Sequence, residues 1–134
     1  MSVYELATHP IHLGLGATAV VQPEFTGELS WYEAYGARHG DDGNEGRLVA
    51  VHDFDAPWTS WEMHPMGAEV VLCIRGRITL IQAEGEPGGA SRSIVLEAGQ
   101  YAINPPGVWH TADVDAPVTA LFITAGEGTT HAPR

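Results

Sequence analysis

Turn-forming residues set the strongest limit on what this chain can build. The sequence holds 16 glycines and 9 prolines, and from Ala56-Pro57 onward they punctuate it at short, regular intervals. Spacing of that kind favours many short strands joined by turns over long helices. The candidate strands are Gly46 to Phe54, Trp58 to His64, Glu69 to Ile74, Arg77 to Ala83, Ser91 to Leu96, Gln100 to Asn104, Trp109 to Val114 and Val118 to Thr124. Eight strands in about 80 residues fit a closed barrel or jelly roll, which also hides the edges that an open sheet would expose.

Upstream of these strands, Leu29, Tyr32 and Tyr35 recur at a three-residue spacing before Gly36, which predicts a short amphipathic helix from about Glu28 to His39. Gly40 to Gly46 reads as a polar connector, and Glu84 to Ala90 as an exposed loop. No internal repeat or long linker interrupts the chain. At 134 residues it has the length of one domain, and the reading is a single domain over 1–134 with its barrel at about 46–124.

Composition narrows the function classes. Apolar residues at 44% can fill a core, which separates the chain from disordered sequences. The net charge of -11 disfavours nonspecific contact with nucleic acid or anionic membranes, which need a basic face. No lysine is present, which removes Schiff-base chemistry and a phosphate-binding P-loop lysine. Cys73 is the lone cysteine, so neither an internal disulfide nor a multi-cysteine zinc site can form, and its bland reading is a small buried hydrophobe. The longest apolar run, Val70 to Ile74, is far short of a membrane span, and the N-terminus lacks the pattern of a secretion signal. The expectation is a cytoplasmic protein without nucleic-acid or membrane partners.

Chemistry concentrates in two segments. In Trp61-Glu62-Met63-His64, strand alternation places Glu62 and His64 on one face. The turn Pro65-Met66-Gly67-Ala68 follows; as a four-residue hairpin loop it sets Glu69 opposite His64. In the second segment, Gly99 to His110, Pro105-Pro106-Gly107 forces a tight corner and His110 lies near the start of the returning strand. His110 joins the other three if the sheet curls into a barrel. His52 reads as a strand histidine or a ligand contact, Trp58, Trp61, Trp109 and Tyr101 as core or rim aromatics. His9, His12, His39 and His131 sit in polar or terminal stretches and read as exposed.

Together the two segments resemble the paired motifs of the cupin superfamily, small β-barrels that commonly hold a divalent metal. Glu62-x-His64, four residues, Glu69, six residues and Gly76 match the first motif. Gly99, Pro105-Pro106-Gly107 and His110 match the second. Two positions of the wider pattern depart, with Ala56 for a leading Gly and Val114 for a closing Asn, and Glu62 stands where the family usually has His. The resemblance implies an all-β, cupin-type double-stranded β-helix, here with a short N-terminal helix. It further implies a metal bound by His64, Glu69 and His110, a two-His, one-carboxylate set of the kind that suits non-haem iron and leaves positions open. Glu62 is then a fourth ligand or a general base; its bland reading is a rim carboxylate, solvated or paired with Arg75 or Arg47.

The leading functional expectation is a metal-dependent enzyme acting on a small organic molecule through one divalent ion, Fe, Mn, Ni or Zn, with dioxygenase, isomerase and lyase chemistry all left open. The alternative is a noncatalytic barrel that binds a small molecule or sugar. Family resemblance also implies a homodimer, for which Val3, Leu6, Ile11, Leu13 and Leu15 in the stretch Met1 to Gly27 offer apolar contacts.

Overall fold

A computed structural model describes residues 2–134 of the chain. Two short strands, β1 (Ile11–Gly14) and β2 (Thr18–Val21), precede helix α1 (Leu29–His39) and a 3-10 segment at Gly40–Glu45. The strands that follow are β3 (Arg47–Phe54), β4 (Ser60–Met63), β5 (Glu69–Arg75), β6 (Arg77–Ala83), β7 (Ser91–Glu97), β8 (Tyr101–Asn104), β9 (His110–Asp113), β10 (Val118–Thr124) and β11 (Thr130–Pro133). They form two antiparallel sheets, a six-stranded one in the order β2-β1-β3-β10-β5-β8 and a five-stranded one in the order β11-β4-β9-β6-β7. The fold is all-β with one short helix, and it wraps as a double-stranded β-helix.

Alternation along the strands builds the core between the sheets. On β5, Val71 and Cys73 are buried while their neighbours are less so; on β10, Val118, Ala120 and Phe122 repeat the pattern. Ile78 and Leu80 of β6 and Ala112 of β9 meet them from the other sheet in one apolar cluster. Ile78, Leu80 and Val71 are each 0% exposed, and full burial of such side chains contributes about 1.5–3 kcal/mol apiece. Cys73 is fully buried there, and burial pushes its thiol pKa up, so the bland reading of this residue holds. Val114, at the departing motif position, also belongs to the core.

Gly76 makes the corner at which β5 of one sheet gives way to β6 of the other. Its φ of 84° lies in the left-handed region, and a Cβ at this position would stand 2.5 Å from the Pro117 carbonyl oxygen. Only glycine meets both conditions.

Two expectations need correction. Strands β4 and β5 do not form a hairpin: the Pro65–Ala68 turn carries the chain from one sheet to the other, and Glu69 pairs in register with Asn104 of β8. The helix faces inward through Trp31 and Tyr35, whose rings stack at 5.8 Å, whereas Leu29 is 74% exposed. A spacing of four residues tracks a helix face better than repeated steps of three, which drift around it. The N-terminal segment contributes to the same sheet, because β1 pairs with β3.

Candidate metal centre

Register brings the candidate residues together. Glu62 of β4 pairs with His110 of β9, His110 with Gln82 of β6, and Gln82 with Arg92 of β7, while His131 of β11 flanks Glu62 on the other side. Directly opposed residues share a face, so His131, Glu62, His110, Gln82 and Arg92 form one row across all five strands of this sheet. His64 follows β4 immediately, and Glu69 opens β5 in the facing sheet. The Pro105-Pro106-Gly107 corner is tied to the first motif by a hydrogen bond from the Gly107 amide to the His64 carbonyl, 2.9 Å. Glycine suits this corner because its φ is 77°.

Glu62, His64, Glu69 and His110 each turn one ligand atom to a common point, with those atoms all within 4.8 Å of one another. The Nε2 atom of His64 lies 3.4 Å from Glu62 Oε1 and 3.1 Å from Glu69 Oε2. For His110 Nε2 the distances are 3.6 Å to Glu62 Oε1 and 3.2 Å to Glu69 Oε1. Despite this proximity, both Nε2 atoms are buried without a directed hydrogen bond. Groups that pair with each other aim at each other; these aim at the space between them. Neighbouring ligands held about 2.0–2.2 Å from one ion stand at similar separations.

The far sides of the rings explain why Nε2 faces inward. Thr129 donates its hydroxyl proton to the Gly126 carbonyl, so its oxygen accepts from His64 Nδ1 at 2.8 Å. His110 Nδ1 donates to the Val108 carbonyl at 3.3 Å. Each neutral ring therefore carries its proton on Nδ1 and leaves the Nε2 lone pair for a cation. Glu69, 3% exposed, accepts from Asn104 at 3.1 Å on Oε1 and from Thr124 at 2.7 Å on Oε2.

Without a cation the four groups hold two protons among them. Burial alone would lower the two histidine pKa values, but the carboxylates of Glu62 and Glu69 outweigh it and push both up to about 9. For the carboxyls burial acts upward, and the contacts from His110 and His64 overcome it. They bring Glu69 down to about 2 and hold Glu62 well below the usual carboxylate range. Two imidazolium and two carboxylate charges then balance. A divalent ion replacing the two protons leaves that balance unchanged.

Glu62 is the most accessible of the four, and its second oxygen, Oε2, lies 3.2 Å from His131 Nε2. It pairs with this histidine rather than with Arg75 or Arg47. Sequence reasoning set His131 aside as terminal; the missed signal is the Thr-His-Ala alternation that makes β11 a strand. Aromatic side chains stand beside the centre. The Trp58 ring lies 6.4 Å from His110 and 6.1 Å from Phe122, and His52 lies 5.7 Å from Phe122. On the helix, partial burial and then the Glu62 charge raise the Tyr32 pKa.

A second cluster was not anticipated. His12, expected to be exposed, is 2% exposed. Its Nε2 donates to Asp42 Oδ2 at 2.6 Å, its Nδ1 meets the Tyr35 hydroxyl at 2.6 Å, and its ring stacks on His39 at 3.9 Å. His39 Nε2 accepts from Gln22 Nε2 at 2.9 Å, and the Gln22 carbonyl oxygen takes Arg38 at 2.9 Å.

A barrel of two antiparallel sheets with a His and carboxylate cluster between them defines the class. The family profile described as the cupin domain matches residues 47–126, and the chain belongs to that family. A Klebsiella pneumoniae protein with a double-stranded β-helix domain is similar at 24% identity and a TM-score of 0.52, over 66% of this chain and 76% of that one. An oxalate oxidase in complex with the substrate analogue glycolate aligns at 16% identity and a TM-score of 0.52, over 63% of this chain and 45% of its own. Hydroquinone 1,2-dioxygenase from a Sphingomonas species, with 4-hydroxybenzoate bound, aligns at 17% and 0.50, over 58% and 59%. The chain thus spans about half the length of these two enzymes, and likeness at such identities is one of fold. No curated protein matches the chain in sequence. No helix among the described residues is long and apolar enough to cross a membrane.

Proposed function

We propose that the chain is a metal-dependent cupin enzyme that binds a small organic molecule at one divalent ion held by Glu62, His64, Glu69 and His110. The carrying observation is the pair of buried, undirected Nε2 atoms turned toward two carboxylates. Two imidazoles and two carboxylates with no sulfur suit Fe, Mn, Ni or Zn rather than a soft cation. When bound, the ion supplies Lewis acidity or redox capacity at a position where the substrate can chelate.

The protein's own groups divide the remaining work. Nδ1–H donation to Thr129 and to the Val108 carbonyl orients the two histidines. Glu62 offers Oε1 inward and Oε2 toward His131 at the rim, an arrangement in which this carboxylate can accept a proton from a substrate and hand it outward. Trp58 and Phe122, with the His52 ring beside them, provide an aromatic wall on which an organic ligand can rest. Elemental analysis of tag-free protein tests the reading, followed by a turnover screen on the loaded form. Near-stoichiometric metal with turnover supports it. Metal-free protein that takes none up on reconstitution refutes it, and saturable ligand binding without turnover assigns the noncatalytic barrel instead.

We also infer one domain over 1–134, because the β1–β3 pairing joins the N-terminal strands to the barrel. A homodimer is proposed through the edge strand β2, where Val20 and Val21 are 40% and 44% exposed; sedimentation at micromolar concentration should give twice the chain mass.

A further inference from the structure

Glu69 is held by more than its nearest neighbours. Asn104 Nδ2 donates to Glu69 Oε1 at 3.1 Å; Asn104 Oδ1 in turn accepts from Gln82 Nε2 at 2.8 Å. The same Gln82 nitrogen donates to the Ile103 carbonyl at 3.0 Å, and Gln82 Oε1 accepts from Arg92 Nε and Nη2 at 3.0 and 2.8 Å. The chain Arg92–Gln82–Asn104–Glu69 therefore runs from the surface of β7 through two side chains that are 2% and 1% exposed to a carboxylate that is 3% exposed.

The direction of this chain is fixed by chemistry at both ends. A guanidinium only donates and an ionised carboxylate only accepts. Gln82 must turn its oxygen to Arg92, which leaves its nitrogen for Asn104; Asn104 must then present oxygen to Gln82 and nitrogen to Glu69. The Ile103 carbonyl, another pure acceptor, enforces the same Gln82 orientation. If either amide turned over, two oxygens would face each other in a buried place, at a cost of about 1–3 kcal/mol for each group left unmatched.

We propose that Arg92, Gln82 and Asn104 are positioning residues for Glu69, with Arg92 setting the sense of both amides so that an N–H always meets Glu69 Oε1. Directed this way, the chain fixes the carboxylate and leaves its remaining lone pairs toward His64 and His110. The inference rests on the reading of Glu69 as a metal ligand. All three positioning residues lie outside the four-residue cluster.

Two substitutions of nearly unchanged shape test it with cobalt(II) as the probe, reading affinity by competition with a chelator and ligand geometry by visible absorption. Gln82→Glu keeps the contact with Arg92 but cannot donate to Asn104. Asn104→Asp keeps the contact with Gln82 but cannot donate to Glu69. Each adds a negative charge near the site, which by simple attraction would tighten cation binding. The chain predicts the opposite sign, an affinity about 10–100-fold weaker with a changed cobalt spectrum. Arg92→Ala should weaken binding and Arg92→Lys, which restores a donor, should recover most of it. Because the two carboxylate variants lie on different strands, one that fails to fold leaves the other to answer. Cobalt binding at wild-type or greater affinity with the wild-type spectrum in the folded variants would overturn the inference. A wild-type protein that takes up no cobalt would instead count against the metal reading on which it stands.

Discussion

His12, His39 and Asp42 gather beside the N-terminal helix much as Glu62, His64, Glu69 and His110 gather inside the barrel, and both sets place their ligand atoms within 4.8 Å of one another. Their accounts with hydrogen bonding differ. Both ring nitrogens of His12 are engaged, by Tyr35 and by Asp42, and His39 Nε2 is engaged by Gln22. In the barrel, each histidine spends only Nδ1 and keeps Nε2 in reserve. Closeness and residue type are thus the same in the two places; the unspent lone pair is what separates a site for a cation from a polar staple that fastens β1, α1 and the segment after it.

The largest effect should come from exchanging ligand for non-ligand. His64→Ala and His110→Ala are expected to reduce bound metal from near-stoichiometric to background in elemental analysis, whereas His12→Ala should leave it unchanged. Metal lost equally from all three variants would erase the distinction. Next in size is stability. His12→Ala removes a buried partner from both Asp42 and Tyr35, which should cost about 2–3 kcal/mol and lower the melting temperature of the metal-loaded protein.

Glu62→Gln sharpens the barrel side of the comparison. As a ligand, Glu62 should take metal affinity down with it; as a base alone, it should leave metal content intact while turnover falls. Metal content and activity both at wild-type level would remove Glu62 from the machinery.

The pH dependence is a smaller but signed effect. For His64 and His110 the folded pKa is raised to about 9 from an ordinary 6.5. Their contribution to the metal-free fold is full below 6.5 and is lost as pH rises toward 9. With metal bound those protons are already gone, so the stability advantage of loaded over metal-free protein should widen between pH 6.5 and 9. His39 has the reverse sign: burial, then the neighbouring His12 and Arg38, lower its pKa, so the N-terminal staple loosens on acidification instead. Melting curves of both forms across pH 5 to 9 check this, and a constant gap between them on the alkaline side would contradict the barrel assignment.

Much of this was legible in the sequence, for identifiable reasons. Glu62, His64, Glu69 and His110 could be named because motif spacing and strand alternation are local, and the positive-φ glycines at 76 and 107 leave a visible mark. Sheet membership was not local: the Pro65–Ala68 turn reads equally as a hairpin or as a crossing, and only packing decides. Strand β11 was missed because Pro133 argues against a strand, yet proline is tolerated at an edge, which is where β11 lies. The burial of His12 depends on Tyr35 and Asp42, more than 20 residues away, and no short window contains that information.

The row that runs His131, Glu62, His110, Gln82, Arg92 takes one residue from each strand of its sheet. A slip of one position in any of those strands would turn its member to the opposite face. Chelation thereby becomes a proofreading device for folding: only a chain in which β4 and β9 have found their alignment, with β5 facing them from the other sheet, can gather Glu62, His64, Glu69 and His110 around one ion, and a misaligned chain forfeits the stabilisation that ion binding confers on the correct one.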